Sequence, residues 1–218
     1  MLHHRSLPHG NIARMFERPP NAPAACVAMV AAVIVLLLLA SLHALSPEFD
    51  PSWRVVSEYA NGQYAWVLSS MFVSWAVSSW ALAIALWPQM AGIGGKIALG
   101  FLVAAGVGEA MASVFDINHP LHNLSGMIGV LSLPIAAMLI SLRLSRTQEW
   151  AAAKRSLLWT ANLTWISLVL LFAMLIILLS GHKFTLHVVG WTNRLLVVAY
   201  CVWVLTVAGQ GLRLRRQK

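Results

Sequence analysis

Charged side chains make up only 10% of this 218-residue chain, against about a quarter in an ordinary soluble domain. With 59% hydrophobic residues and a mean hydropathy of +0.74, that scarcity excludes a soluble globular class. The linkers between apolar stretches are short, which leaves no room for a separate soluble domain. Cysteine is also scarce. Cys26 and Cys201 both fall inside apolar stretches, so they cannot form an extracytoplasmic disulfide framework. There is no Gly-x-Ser-x-Gly, no Walker loop and no His-Glu-x-x-His. No internal repeat is visible, and no matched pair of broken helices marks two transporter halves.

What is present is six apolar runs, at 24–45, 64–87, 93–115, 121–142, 158–179 and 188–209. Each has about the ~20 residues a helix needs to cross the hydrocarbon layer. The expected fold is an all-α integral membrane protein, a six-helix transmembrane bundle over 24–210, with basic tails at 1–23 and 211–218. The first run is too long for a signal-peptide core of roughly 7–15 residues, and Leu42-His43-Ala44 is a poor cleavage site. It reads as a retained helix. His3, His4 and His9 lie in a proline-rich tail that reads as solvated and disordered.

The net charge is +8. In a soluble protein this would suggest a nucleic-acid partner, but here topology explains it and none is expected. If six helices alternate, twelve of the fifteen Lys and Arg residues fall on the side of the termini. Arg54, Lys183 and Arg194 fall on the other. Cytoplasmic loops collect Lys and Arg, so both termini are expected in the cytoplasm. The basic Arg213–Lys218 tail also suits contact with anionic membrane lipid. Trp53, Trp66 and Trp191 should mark the outer interface and Trp87, Trp150 and Trp159 the inner one.

The third run carries Gly100, Ala104, Gly108 and Ala112 at steps of four. Such a stripe lets a neighbouring backbone approach closely, inside one bundle or across a homo-oligomer seam. The Gly92-Ile93-Gly94-Gly95 run opens the helix and reads as a flexible turn. It has no strand before it, as a nucleotide-binding loop would.

Ionisable and polar residues gather at the outer end, where they mark function or a paired structural site. Glu109 and Asp116 are seven apart on one helical face, and Arg194 reaches a depth similar to that of Glu109 from the sixth helix. The expectation is a buried Arg194 paired with an acid: Glu109 first, then Glu58 or Asp116. His119, His122 and His187 lie on the same side beside Glu58 and Asp116. Three or four such ligands suit zinc, though His-x-x-His is weak evidence alone and no cofactor is the default reading.

Further residues complete a familiar pattern. Ser57-Glu58-Tyr59 precedes the second helix, and Val114-Phe115-Asp116 ends the third. Leu121-His122-Asn123 with Gly126 opens the fourth, and Gly190-Trp191-Thr192-Asn193-Arg194 opens the sixth. Over about residues 25–210 the chain resembles the bacterial and archaeal membrane family called domain of unknown function 998 (DUF998). Two positions depart from its pattern: no proline separates Phe115 from Asp116, and Asn193 stands where Gln is common. The resemblance implies six helices, a bacterial inner-membrane location and a distant relation to Frag-like membrane proteins. It supplies no activity. Its matched polar residues, Ser57, Glu58, Tyr59, Asp116, His122 and Arg194, join Glu109 as the candidate outer cluster.

The leading expectation is a non-catalytic protein that uses a polar outer pocket for a lipid headgroup or small ligand. One rival is a metal-dependent hydrolase acting on lipid at the outer leaflet, with His119, His122 and His187 and either Glu58 or Asp116 holding zinc and activating water. Another is a proton-coupled transporter with Glu109 as the titrating group.

Overall fold

The computed structural model describes residues 19–180 and 187–216. The tail histidines His3, His4 and His9, and the loop residues His182 and Lys183, lie outside them. Six long helices follow one another: α1 (Ala22–Leu45), α2 (Ala65–Leu86), α3 (Gly92–Val114), α4 (His122–Leu144), α5 (Lys154–Leu179) and α6 (Val189–Arg216). All six are long and apolar enough to span a membrane, and the described residues contain no strand. This is a multi-pass membrane protein. An isolated apolar strand would leave its backbone unsatisfied in lipid, whereas a helix satisfies its own.

Each helix packs on the next, and α6 returns to pack on α1, so the bundle is a ring in sequence order. α2 and α4 also reach α6 across the interior. α5 is the thinnest part of the wall: 22% of its apolar window is buried, against 39% to 56% in the other five. Small residues and interhelical hydrogen bonds hold the interior. Ser78 Oγ donates to the carbonyl of Ala28 at 3.0 Å, Trp203 Nε1 to Ser141 Oγ at 3.0 Å, and Tyr200 Oη to the carbonyl of Val130 at 2.6 Å.

Local chemistry explains the ends. Asn21 caps α1 by accepting from the Ala24 N–H at 3.2 Å, with a proline in the first turn, where its missing N–H is harmless. Gly92 opens α3 at φ +73°, a backbone that side chains with a Cβ resist. α6 runs on to Arg216, past the expected end at 209, because Arg213, Arg215 and Arg216 sit favourably on the negative end of the helix dipole. A 3₁₀ turn at Gln148–Ala153 precedes α5 and draws Trp150 into the core, where it is 1% exposed. Trp150 is therefore not an interface tryptophan. Trp53, Trp66, Trp87, Trp159 and Trp191 are all exposed, as a girdle requires.

The small-residue stripe is only partly used. A Cβ on Gly108 would lie 2.2 Å from the backbone N of Gly129, so α3 and α4 touch backbone to backbone there. Gly100, in contrast, faces open space.

Candidate functional site

The end of the bundle away from the two termini, here called distal, is covered by the 46–64 segment. The key contact is Arg194, one turn into α6 and 4% exposed. Among the described residues no carboxylate pairs with it, and the neighbouring Arg54 pairs with Glu58 instead. The expected Arg194–Glu109 bridge is not formed. Instead Arg194 donates from Nε to His43 Nε2 at 2.7 Å and from Nη1 to the carbonyls of Arg54 at 2.7 Å and Gly190 at 3.0 Å. Nη2 donates to Tyr59 Oη at 3.0 Å. Four of the five guanidinium hydrogens are therefore placed. Neutral dipoles, with the C-terminal end of α1 next to His43, solvate the charge in place of a carboxylate.

The rest of the motif serves the same joint. Glu58 Oε1 accepts from the Val55 N–H at 3.1 Å, capping the 3₁₀ helix Val56–Asn61 that carries Tyr59. Asn193 Oδ1 accepts from the Val56 N–H at 2.8 Å. Gly190 lets the loop settle on α6: a Cβ there would stand 2.4 Å from the Pro51 carbonyl oxygen. Ser52 tightens the turn by donating its N–H to Asp50 Oδ1 at 2.8 Å. That backbone bond, with help from the Ser52 hydroxyl, holds the Asp50 carboxyl below its usual range, and His187 and Arg194 add weak attraction.

The histidines are spread apart. His119 is exposed, stacks on Phe115 at 4.5 Å and accepts from the Leu121 N–H at 3.1 Å. His122 Nδ1 lies 2.9 Å from the Phe115 carbonyl. A carbonyl only accepts, so Nδ1 carries the hydrogen and Nε2 is left free. His187 is exposed near Asp50. Asp116 is spent on an Asx turn with the Asn118 N–H at 2.9 Å. Among the described residues no three His, Cys, Asp or Glu side chains come together as metal ligands.

Glu109 stands apart from all of these. It is 5% exposed; Oε2 accepts from Ser79 Oγ at 2.9 Å, and Oε1 has no hydrogen-bond partner. Glu109 lines a small cavity of about 40 Å³ together with Phe72, Trp75 and Tyr200. Trp75 Nε1 also lacks a partner. Next to it lies a cavity of about 320 Å³ that shares Phe72, Trp75 and Gly126. Its mouth carries Ser57, His122, Asn123 and Asn193, and its walls include Leu171, Leu175, Leu196 and Val197.

The expected cluster thus divides. Glu58, Tyr59 and Arg194 build the loop joint, Asp116 shapes a turn, Ser57 and His122 edge the larger cavity, and Glu109 lines the smaller. Sequence reading missed His43, although a histidine one turn from the end of an apolar helix was its signal. It also missed Phe72, Trp75 and Tyr200, which look like ordinary apolar core in sequence.

The family model described as "Protein of unknown function (DUF998)" matches residues 29–210. Comparison with curated proteins and with solved structures gives no match. The matched span covers all of α2 to α5 and most of α1 and α6, including both the loop joint and the two cavities, so the chain belongs to the DUF998 family.

Proposed function

We propose that this protein is a non-catalytic membrane binding component that takes a small amphiphilic ligand into the larger distal cavity. One observation carries the reading: a space of about 320 Å³ with apolar walls and a polar mouth. That volume is at the low end for small-molecule sites, which pair mostly apolar walls with a few placed polar groups. The twelve-to-three split of Lys and Arg supports placing this end outside the cytoplasm.

Binding is favoured over hydrolysis because the chemistry for hydrolysis is not gathered. Ser57 and His122 both edge the cavity, but no hydrogen bond links them as nucleophile and base, and the zinc trio is dispersed.

The test uses Gly126, which lines the cavity and whose Cβ direction is open. Gly126→Leu should fill the space without clash. In neutral detergent, 1-octanol should raise the melting temperature of the unmutated protein saturably and leave that of Gly126→Leu unchanged. An equal response from both proteins removes the reading.

A further inference from the structure

We propose that the ligand carries an ammonium group and that Glu109 is its anchor. This rests on the binding reading above and names the class of ligand. The carboxylate is buried in the bundle and uses only one of its oxygens. A buried acid with an unsatisfied oxygen is costly unless a donor or cation meets it. Among the described residues none supplies such a cation. Arg194, the buried cation first expected there, spends its donors on His43, Tyr59 and two carbonyls. Among the described residues no Lys or Arg lines either cavity.

The surroundings select the kind of donor. The cavity that Glu109 lines, about 40 Å³, has room for a water-sized group, which needs about 10–15 Å³. A primary ammonium is of that size. Its N–H groups can donate to Oε1 in a charge-assisted bond, roughly twice as strong as a neutral one. The rings of Phe72, Trp75 and Tyr200 wall the same space, and ring faces attract cations, most strongly where water is excluded. Trp75 and Tyr200 meet edge to face at 5.8 Å, so the wall presents rings in more than one orientation. An apolar tail on the ammonium then extends into the adjoining larger cavity, past Gly126 and Val130.

A divalent metal is a poorer occupant. It wants several oxygen ligands, and among the described residues Glu109 is the only carboxylate lining either cavity. An anionic headgroup is excluded by the same carboxylate.

The experiment is calorimetric titration in neutral detergent at pH 7 with octylammonium and, as the uncharged comparison, 1-octanol. Octylammonium should bind the unmutated protein at least about tenfold more tightly, equivalent to about 1.4 kcal/mol. Glu109→Gln should bring octylammonium down to the affinity of octanol and leave octanol unchanged. Gly126→Leu should abolish both. Equal affinities in the unmutated protein, or a preference that survives Glu109→Gln, overturns the ammonium assignment. If octanol still binds the unmutated protein and not Gly126→Leu, the binding reading stands without it. If neither probe binds, both fall. The comparison of probes on the unmutated protein holds even if Glu109→Gln does not fold.

Discussion

Arg194 Nε lies 2.7 Å from His43 Nε2, and this bond ties the last helix to the first at the distal end. It also fixes the imidazole. Arginine only donates, so Nε2 must accept, and the ring's one hydrogen sits on Nδ1. Nδ1 faces the Leu39 carbonyl at 2.6 Å, where that hydrogen has an acceptor. Trp191, on α6, stacks on the same ring at 6.5 Å. The ring closure of the bundle thus depends on a cation solvated by neutral groups.

A first prediction follows from those partners. Arg194→Leu should cost about 3 kcal/mol, because it orphans several buried acceptors. Tyr59→Phe should cost about 1 kcal/mol. Arg194 and Glu109 share no partner, so Arg194→Leu and Glu109→Leu should add within roughly 0.5 kcal/mol. Equilibrium unfolding in mixed micelles measures all three. A coupling above about 1 kcal/mol between Arg194 and Glu109 contradicts the geometry.

The second prediction separates two glycines that look alike in sequence. Gly108→Ala places a Cβ 2.2 Å from the backbone of Gly129 and should cost about 1–3 kcal/mol by overpacking. Gly100→Ala meets nothing and should gain up to about 1 kcal/mol of helix propensity. The same unfolding measurement checks both, and equal effects would show that α3 and α4 do not touch at Gly108.

These two pairs mark what the sequence could say. Helix number, order and approximate ends were legible because apolar runs of spanning length are long, local signals. The distal gathering of polar groups was legible from alternation. Partner choice was not. Glu109 and Arg194 have matching depth along the chain, but depth says nothing about which way a side chain turns about the helix axis. Arg194 turns to α1 and the loop, and Glu109 to Ser79 on α2. The stripe divides in the same way: residues at steps of four drift around the helix, so of its two glycines Gly108 meets α4 and Gly100 meets nothing. The cavity was invisible because it is made by what six separate segments fail to fill.

The third prediction concerns acid. The Asp50 carboxyl is held below the ordinary aspartate value, first by the Ser52 N–H and then by the Ser52 hydroxyl. A lowered folded value means that the stabilisation is present above the unfolded value and is lost as pH falls through the folded one. Carbon NMR of the labelled carboxyl should give a midpoint below that of an ordinary aspartate. Ser52→Ala keeps the backbone donor and should retain most of the shift. Full return to the ordinary value in Ser52→Ala would show that the hydroxyl, and not the N–H, dominates.

The final prediction is orientation. The end opposite the distal cover carries Lys96, Arg143, Arg146, Lys154, Arg155, Arg213, Arg215 and Arg216 among the described residues. Among the described residues the distal end carries Arg54 and Arg194, and neither presents a free charge. Arg54 is paired with Glu58 and lies 4.1 Å over the Trp53 ring, while Arg194 is buried. Insertion responds to Lys and Arg near helix ends, so this imbalance should keep the terminal side in the cytoplasm. Asn118 and Arg146 are exposed in linkers at opposite ends. The native Cys201 is buried, and Cys26 is replaced by serine to remove background. In intact cells a membrane-impermeant maleimide should label Asn118→Cys. It should label Arg146→Cys only after the membrane is opened. The reverse pattern would place the cavity mouth on the cytoplasmic side. An amphiphile would then have to reach Glu109 from within the cell, and the calorimetric preference for octylammonium in detergent would be unchanged.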